Sequence, residues 1–282
     1  MAESCISGRS TSRAPPKTSI DRTGQLRPDA EAWSRVQFLG LPFCLLSQQQ
    51  AVRLLIDRCG PPYRYVVTPN AFNVVTAYDN PETLLPIYRG AWLSLCDSRV
   101  VRGLARLERL SLPLVTGSDL VAALLSMLDS FDPGRPSVNL AIVGPPPALA
   151  QDLRTRYPNL RLDILPAPFG LATDAQARLA VARACVAASW DILLLCLGEP
   201  TQALIAQQIA ELGRTSGVAL CVGAAIDFLA GKRRRAPLLL QKLGLEWAYR
   251  LAQEPRRLWR RYLLESPNIF RIFIAMRQTR AL

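Results

Sequence analysis

Two short apolar runs flank a longer, helix-favouring stretch in DILLLCLGEPTQALIAQQIAELGRTSGVALCV, residues 191–222. The runs Asp191–Leu197 and Val218–Val222 lack the alternation of polar and apolar residues that a half-exposed strand shows, and are typical of strands buried on both faces. The stretch between them predicts a loop over Gly198–Gln202 and a helix ending near Leu212. A strand, a helix and another strand in this order predict two parallel strands joined by a crossover helix.

The same alternation continues upstream. Further strands are predicted at Tyr65–Thr68, Trp92–Cys96, Ser137–Val143 and Arg161–Leu165, and helices at Ala71–Tyr78, Pro81–Arg89, Leu120–Leu128, Leu149–Tyr157 and Gln176–Ser189. The fold class is therefore predicted to be α/β, with a parallel, Rossmann-like sheet covered by helices on both faces and a helical, basic C-terminal appendage. In such sheets ligands bind outside the carboxyl ends of the strands.

Polar residues follow several of the predicted strands at that edge. They are Thr68, Asn70, Asp97, Asp119, Gln202 and Asp227. Structural readings stay open for three of them, since Asp119 (or its neighbour Ser118) fits a helix cap, Asn70 could close a turn after Pro69, and Gln202 could be an exposed first-turn residue. Asp97 directly follows the apolar run LSLC, so we expect its carboxylate to be either partnered or catalytic.

Residue usage excludes several chemistries. The chain has no His, which rules out His-dependent triads and His-ligated metals. It has no Asp-x-Asp pair, no GxxxxGK[ST] loop and no GxGxxG turn, so we expect neither a bound metal nor a nucleotide cofactor. Seven Cys without a CxxC pair indicate reduced thiols in a cytoplasmic setting.

Composition predicts three regions in the 282 residues. Residues 1–34 are rich in Ser, Thr, Arg and Pro without a secretory apolar core, and are expected to form a disordered arm. Residues 35–235 carry the α/β domain, and residues 236–282 the appendage. No apolar run reaches the roughly 18 residues that a membrane-spanning helix needs, so any membrane contact is expected to be peripheral.

The positive charge is concentrated in the appendage. From Lys232 to Leu282 there are eleven Arg and two Lys against three Glu, a net charge of +10 out of +12 for the whole chain. Two amphipathic helices are predicted, the second beginning at Pro255; one face carries Trp247, Leu251, Leu258 and Tyr262, and another Arg250, Arg257 and Arg261. Cationic and aromatic residues together favour an anionic membrane surface over a nucleic acid.

Motifs in the second half of the chain then carry a resemblance. They are Gly223–Gly231, Arg235-Ala236-Pro237, Gly244–Trp247, Tyr249-Arg250-Leu251 and Glu254-Pro255 through Arg260-Arg261-Tyr262, preceded by TPNAFNVV, VTGSDL and LGEPTQ. In order and spacing they resemble the WecG/TagA/CpsF glycosyltransferases over about Gln37 to Phe270. The resemblance implies an inverting, metal-independent transfer of a sugar from a UDP-sugar to a polyprenyl-diphosphate-linked saccharide, peripheral on the cytoplasmic face of a bacterial plasma membrane.

The resemblance also assigns roles to individual residues. Asp97 matches the general base; Thr68, Asn70, Gln202 and Asp227 match the substrate pocket; Gly144 and Gly223 match points where backbone approaches the nucleotide. For the appendage the resemblance implies membrane binding and a part in completing the active site, and the spacing of Arg250, Arg257 and Arg261 on one helical face suits lipid phosphates or the leaving diphosphate. The chain departs from the family pattern at Ser98, usually Gly, at Leu114, usually Arg, and at Ala203, usually Glu. The charge missing at Leu114 would have to come from Arg99, Arg102 or the appendage.

Several alternatives remain at this point. The family resemblance allows UDP-glucose, UDP-glucuronic acid or UDP-N-acetylmannosamine as donor, with a slight preference for a hexosyl or uronosyl transferase of exopolysaccharide synthesis. A membrane-bound scaffold with altered catalysis is a second hypothesis. A nucleic-acid-binding protein is a third, prompted by the charge alone and supported by no recognised module. A homo-oligomer could bury the apolar face of the appendage.

Overall fold

The computed structural model describes residues 33–130, 137–145, 147–226, 236–237, 240 and 245–281. Six parallel strands form one sheet in the order β4-β3-β8-β7-β5-β6. The strands are β3 (Arg64–Val67), β4 (Leu93–Ser94), β5 (Asn139–Val143), β6 (Arg161–Leu165), β7 (Ile192–Leu195) and β8 (Val218–Cys221). The predicted parallel α/β sheet is thus confirmed, with every predicted strand present.

The three central strands are buried along their whole length. No residue of β3, β7 or β8 is exposed, as their apolar sequences predict. Ile192 of β7 pairs with Val218 of β8, and Val67 of β3 pairs with Cys221. The last strand in sequence therefore lies in the middle of the sheet.

Helices flank this sheet. They are α1 (Gln48–Asp57), α2 (Ala71–Asp79), α3 (Pro81–Gly90), α4 (Arg99–Leu107), α5 (Gly117–Asp129), α6 (Pro147–Arg156), α7 (Ala175–Ala187) and α8 (Thr201–Glu211). Both α1 and α4 were absent from the sequence-based prediction. Ser47 begins α1 in a capping box with Gln50, and the Ser98 hydroxyl accepts a hydrogen bond from Val101 N at the start of α4.

A second sheet, also not predicted, is a two-stranded hairpin of β1 (Arg35–Phe38) and β2 (Leu41–Cys44). Its turn residues Leu39 and Gly40 have φ angles of 49° and 68°. Positive φ at both positions is the geometry of a type I′ turn, whose twist matches that of the flanking strands. Leu is rare in this conformation, so residue type alone does not predict the turn.

The appendage is helical, and its last helix packs on the core. Its described residues include α9 (Glu246–Gln253), α10 (Pro255–Trp259), a π-helix (Arg260–Glu265) and α11 (Asn268–Ala281). Pro255 occupies the first turn of α10, as predicted. Ile269 and Phe273 of α11 are buried, and the Phe273 ring lies edge-on to Phe38 of β1 at 6.2 Å between centroids.

Residues from Arg35 onward form one compact unit. The division of this unit into an α/β domain and an appendage stays a prediction, and most of the expected N-terminal arm lies outside the described residues. Within the described chain, no helix is long and apolar enough to span a membrane. The six cysteines that the structure describes are free thiols.

Candidate active site

A cleft of about 200 Å³ lies at the carboxyl edge of the sheet, where β3, β4, β7 and β8 end. Among its lining residues are eight that sequence reasoning selected: Thr68, Asn70, Asp97, Gln202, Gly223, Arg250, Arg257 and Arg261. The strands and the appendage therefore contribute to one site. Asp227 lies outside the described residues.

Asp97 follows β4 and is the only one of these eight residues with a carboxylate. Its Oδ2 accepts a hydrogen bond from the backbone N–H of Gly117 at 3.2 Å. Burial raises the pKa of Asp97 to about 7; the Gly117 hydrogen bond and the charge of Arg250 lower it, while Glu246 and Asp119 raise it further. A carboxyl group with a pKa near neutrality is suited to general-base catalysis.

Gly117 is the first residue of α5, and Thr116 caps that helix. The Thr116 hydroxyl accepts a hydrogen bond from Asp119 N at 3.1 Å and donates one to Asp119 Oδ2 at 2.7 Å. The prediction that Ser118 or Asp119 caps this helix is therefore wrong. The helix begins at Gly117, before the first residue of its apolar pattern, Leu120. The earlier start places the N-terminus of α5 against Asp97, where its N–H groups and dipole favour the ionised carboxylate.

Thr68 and Asn70 both line the cleft and both also serve the fold. The Thr68 hydroxyl donates to the carbonyl of Cys221 at 2.9 Å and so joins the ends of β3 and β8. Asn70 Oδ1 accepts hydrogen bonds from Phe72 N and Asn73 N and caps α2. Asn70 therefore caps a helix instead of closing a turn after Pro69, and it also lies in the wall of the cleft.

Gln202 belongs to a buried network that sequence reasoning missed. Its Oε1 accepts a hydrogen bond from Gly223 N at 2.8 Å, and its Nε2 donates to Glu199 Oε2 at 3.2 Å. Glu199 Oε1 accepts from the Tyr88 hydroxyl at 2.5 Å, and Asn73 Nδ2 donates to that hydroxyl at 3.0 Å. Burial raises the pKa of Glu199, and the hydrogen bonds from Tyr88 and Gln202 lower it.

The two predicted glycines have different surroundings. Gly223 has φ 56°, lines the cleft, and leaves space beside its Cα, where the nearest atom to an added Cβ would be 3.8 Å away. Gly144 has φ 100° and is not among the residues lining the cleft. A Cβ there would come within 2.8 Å of Leu197, so this glycine permits close packing between the loops after β5 and β7.

The appendage places three guanidinium groups at the cleft. Arg261 lies over the ring of Phe72 at 4.5 Å and reaches Asn70 Oδ1 at 3.5 Å. Burial lowers the pKa of Arg261, and the charges of Arg250 and Arg257 lower it further. Within the described residues, the buried Nε of Arg261 has no hydrogen-bond partner.

A second cavity of about 420 Å³ adjoins the cleft. Its lining is largely aromatic and aliphatic and includes Phe72, Trp247, Tyr262, Ile269 and Phe270. Arg99 lies at this cavity, whereas Arg102 is at neither one. Asn70, Asp97, Glu246, Arg250 and Arg261 line both.

Several residues that line the cleft or bond to its lining were therefore not predicted: Asn73, Thr116, Gly117, Glu199 and Glu246. For Glu199 a signal existed, because a charged residue in LGEPTQ, between a buried strand and a helix, needs partners when it is buried. Gly117 acts through its backbone, which no residue pattern reveals. Within the described part of the chain, no group of three or more His, Cys, Asp or Glu could hold a metal ion.

The arrangement offers a carboxylate that can take up a proton and cations that can neutralise a leaving phosphate group. Both groups can assist the transfer of a sugar from a nucleotide donor with inversion. The family model described as glycosyl transferase WecG/TagA/CpsF family matches residues 36–281. The chain therefore belongs to the WecG/TagA/CpsF family of glycosyltransferases.

Proposed function

We propose that the protein transfers a sugar from a UDP-sugar to a polyprenyl-diphosphate-linked saccharide, with inversion at the anomeric carbon and without a metal ion. The observation that carries this proposal is the meeting of Asp97 with Arg250, Arg257 and Arg261 in one cleft at the carboxyl edge of the sheet. A base and a cationic site for a diphosphate are thereby combined.

Electrostatics support the assignment of the arginines. Arg257 is ion-paired with Glu254, but burial of Arg261 adds a desolvation cost and the charges of Arg250 and Arg257 disfavour its charged form further. A bound diphosphate would offset both costs through charge-assisted hydrogen bonds, for which guanidinium groups are well shaped. These arginines would supply the positive charge that an Arg at the position of Leu114 provides in other members of the family.

In the proposed reaction, Asp97 accepts the proton of an acceptor hydroxyl as its oxygen attacks the anomeric carbon. The new C–O bond forms while the bond from that carbon to the β-phosphate oxygen breaks, and UDP leaves with the electron pair. Attack opposite the leaving group inverts the configuration. The arginines stabilise the negative charge that develops on UDP.

The proposed place of action is the inner face of a bacterial plasma membrane, in the synthesis of an exopolysaccharide or another surface glycan. Exposed Trp259 and Leu264 lie beside exposed Arg256 and Arg260 on the appendage. This combination suits peripheral binding to anionic lipid. We propose glucose or glucuronic acid as the transferred sugar, with N-acetylmannosamine as the alternative.

The test is a UDP-release assay with these three UDP-sugars and lipid-diphosphate-linked saccharides. We expect release with one donor, dependent on acceptor, and loss of at least about 100-fold in kcat for Asp97→Asn, in the range typical of general-base removal. Because the base must be ionised, wild-type activity should rise as the pH increases through about 7 and then level off. Absence of turnover with every donor, despite binding of UDP, would favour a scaffold role instead.

A further inference from the structure

The aromatic cavity beside the cleft is the feature that the proposed reaction does not yet use. It is about twice as large as the cleft, at about 420 Å³ against 200 Å³, and its lining is predominantly apolar. An apolar cavity of this size beside a catalytic carboxylate is suited to binding part of a substrate.

Asp97 stands at the junction of the two cavities and lines both. In a displacement reaction the base must contact the attacking hydroxyl, while the leaving group departs on the opposite side. The cleft is lined by all three appendage arginines and by Gly223, which has no side chain, and therefore suits the nucleotide diphosphate. Asp97 also lines the aromatic cavity, which leaves that cavity for the attacking acceptor.

The charge and polarity of this cavity match one class of ligand. Arg250 and Arg261 line it together with Asp97, and Trp247, Tyr262 and Phe270 contribute aromatic rings to the same lining. A sugar ring has apolar C–H faces that pack on aromatic rings, and a lipid diphosphate combines anionic groups with a hydrocarbon chain. An acceptor with both features can satisfy the cations and the rings at once.

The cavity is also continuous with the exposed apolar side of the appendage. Leu263 and Phe270 line it and are 52% and 50% exposed, respectively. A hydrocarbon chain leaving the cavity would therefore pass over the surface that we propose to contact the membrane.

We infer that the aromatic cavity is the acceptor subsite, in which the acceptor saccharide packs against Trp247 and Tyr262 with its hydroxyl at Asp97. The two rings lie 6.2 Å apart with an interplanar angle of 53°, so they form two adjoining walls. The inference rests on the proposed function and adds the position of the acceptor and the residues that recognise it.

The experiment compares Trp247→Ala and Tyr262→Ala with Tyr249→Ala in full-length protein. Tyr249 is on the same helix as Trp247 but lines neither cavity, so its substitution controls for loss of an aromatic ring from α9. We expect the KM for acceptor to rise at least tenfold in the two cavity variants and to stay unchanged in Tyr249→Ala. The KM for UDP-sugar and the dissociation constant of UDP should stay within twofold of wild type in all three.

A second arm replaces the polyprenyl chain of the acceptor by a short alkyl chain, assayed without vesicles. The Trp247→Ala defect should persist, because the contact is with the saccharide. Its disappearance would assign Trp247 to membrane contact and overturn the inference, as would a rise in donor KM alone or equal behaviour of the three variants. Lack of UDP release by the wild type would instead remove the proposed function itself.

Discussion

The amide groups of Asn70 and Gln202 differ in how much of each is committed to the fold. Asn70 uses its Oδ1 to cap α2, and its Nδ2 has no recorded partner within the described residues. Gln202 uses both ends of its amide, one towards Gly223 N and the other towards Glu199. Gln202 therefore acts on the cleft by fixing the backbone of Gly223, which is a positioning role.

This arrangement predicts that Glu199→Gln weakens donor binding. One carboxylate oxygen becomes an NH2 group, which cannot accept a hydrogen bond, so the bond donated by Tyr88 or the one donated by Gln202 is lost. Gln202 is then held less firmly, and the Gly223 backbone loses its support. A buried hydrogen bond of this kind contributes about 1–2 kcal/mol, so we expect the dissociation constant of UDP to rise roughly 5- to 30-fold in calorimetry.

Glu211→Gln is the matched control, because Glu211 Oε1 accepts from Gln207 Nε2 at 3.1 Å in an exposed pair on the same helix as Gln202. It should bind UDP like wild type. Equal affinity of the two variants would show that the Glu199 network does not support the nucleotide site.

The sequence predicts individual residues of the cleft when both their type and their position in the chain indicate a chemical role. Asp97 after a buried strand and the arginines of the appendage are of this kind. It does not predict Glu199 and Gly117, since the first depends on partners distant in sequence, Tyr88 among them, and the second contributes a backbone N–H. The role of Gly144 also depends on a distant loop, which only the folded chain brings near.

Among the elements, the π-helix Arg260–Glu265 determines which side chains of the appendage face the site. Ser266 N donates to Arg261 O at 2.8 Å, the wider hydrogen-bond spacing of this helix type. Arg261 and Tyr262 then face the cavities, while Leu264 is 55% exposed. Local sequence does not predict such a segment, because it is rare and its stability depends on the surfaces it contacts.

The helix that follows, α11, connects the appendage to the core through Phe273. We expect Phe273→Ala to lower the free energy of unfolding by about 3–5 kcal/mol, since the side chain is only 5% exposed and packs on Phe38. The same substitution should also weaken UDP binding, because α11 follows the π-helix that carries Arg261. Urea unfolding and calorimetry measure the two effects.

Ile274→Ala is the control for this prediction. Ile274 is the next residue on α11 and is 54% exposed, so its loss should change stability by less than about 0.5 kcal/mol. A Phe273→Ala protein of normal stability would contradict the packing role of α11.

The exposed basic residues of α10 and the π-helix give a prediction about lipid binding. Removing Arg256 and Arg260 together, as Gln, should weaken binding to anionic vesicles by about 2 kcal/mol, since each basic residue near such a surface contributes about 1 kcal/mol. Sedimentation with vesicles that contain anionic lipid measures the loss, and added salt should reduce wild-type binding as well.

Arg53→Gln with Arg183→Gln removes the same charge from exposed positions of α1 and α7. This pair should sediment like wild type. Equal losses in both double variants would mean that net charge, and not the surface of the appendage, governs vesicle binding.

Most elements of the sheet and its helices could be predicted because their apolar runs are long and their spacing is regular. The β1–β2 hairpin could not, since its turn uses Leu39 where a hairpin signal would have Asn or Asp. For α1 a usable signal was present in Ser47 and Gln50, the two residues of its capping box. For α4 the cap is Ser98, which departs from the Gly usual in the family, but its φ of −153° needs no glycine.

For the whole molecule, the raised pKa of Asp97 predicts a loss of stability as pH increases. The folded state holds a proton on Asp97 up to about pH 7, whereas the unfolded chain releases it near the usual pKa of 3.8. The folded state therefore binds more protons between these values, and the free energy of unfolding falls as pH rises through this interval. One pKa unit corresponds to about 1.4 kcal/mol, so the loss amounts to at most about 4 kcal/mol.

Asp97→Asn should remove this loss, because the amide keeps an acceptor for Gly117 N and does not ionise. Urea unfolding at pH 5 and pH 8 should show a smaller difference for Asp97→Asn than for wild type. The exposed carboxylate of Asp152 provides the control, and Asp152→Asn should keep the wild-type difference. If the free energy of unfolding of Asp97→Asn differed between pH 5 and pH 8 as much as that of wild type, burial of the Asp97 carboxyl group would cost little free energy.

The position of β8 in the middle of the sheet has a consequence for biosynthesis. A nascent chain that ends before Val218 has neither of the pairs that β8 forms with β3 and β7, so each of those strands exposes an unsatisfied, apolar edge. The two halves of the sheet can join only after residue 221 has left the ribosome. Fragments truncated upstream of this strand should therefore depend on chaperones and aggregate when overproduced, and co-expression of a fragment that contains β8 should rescue them.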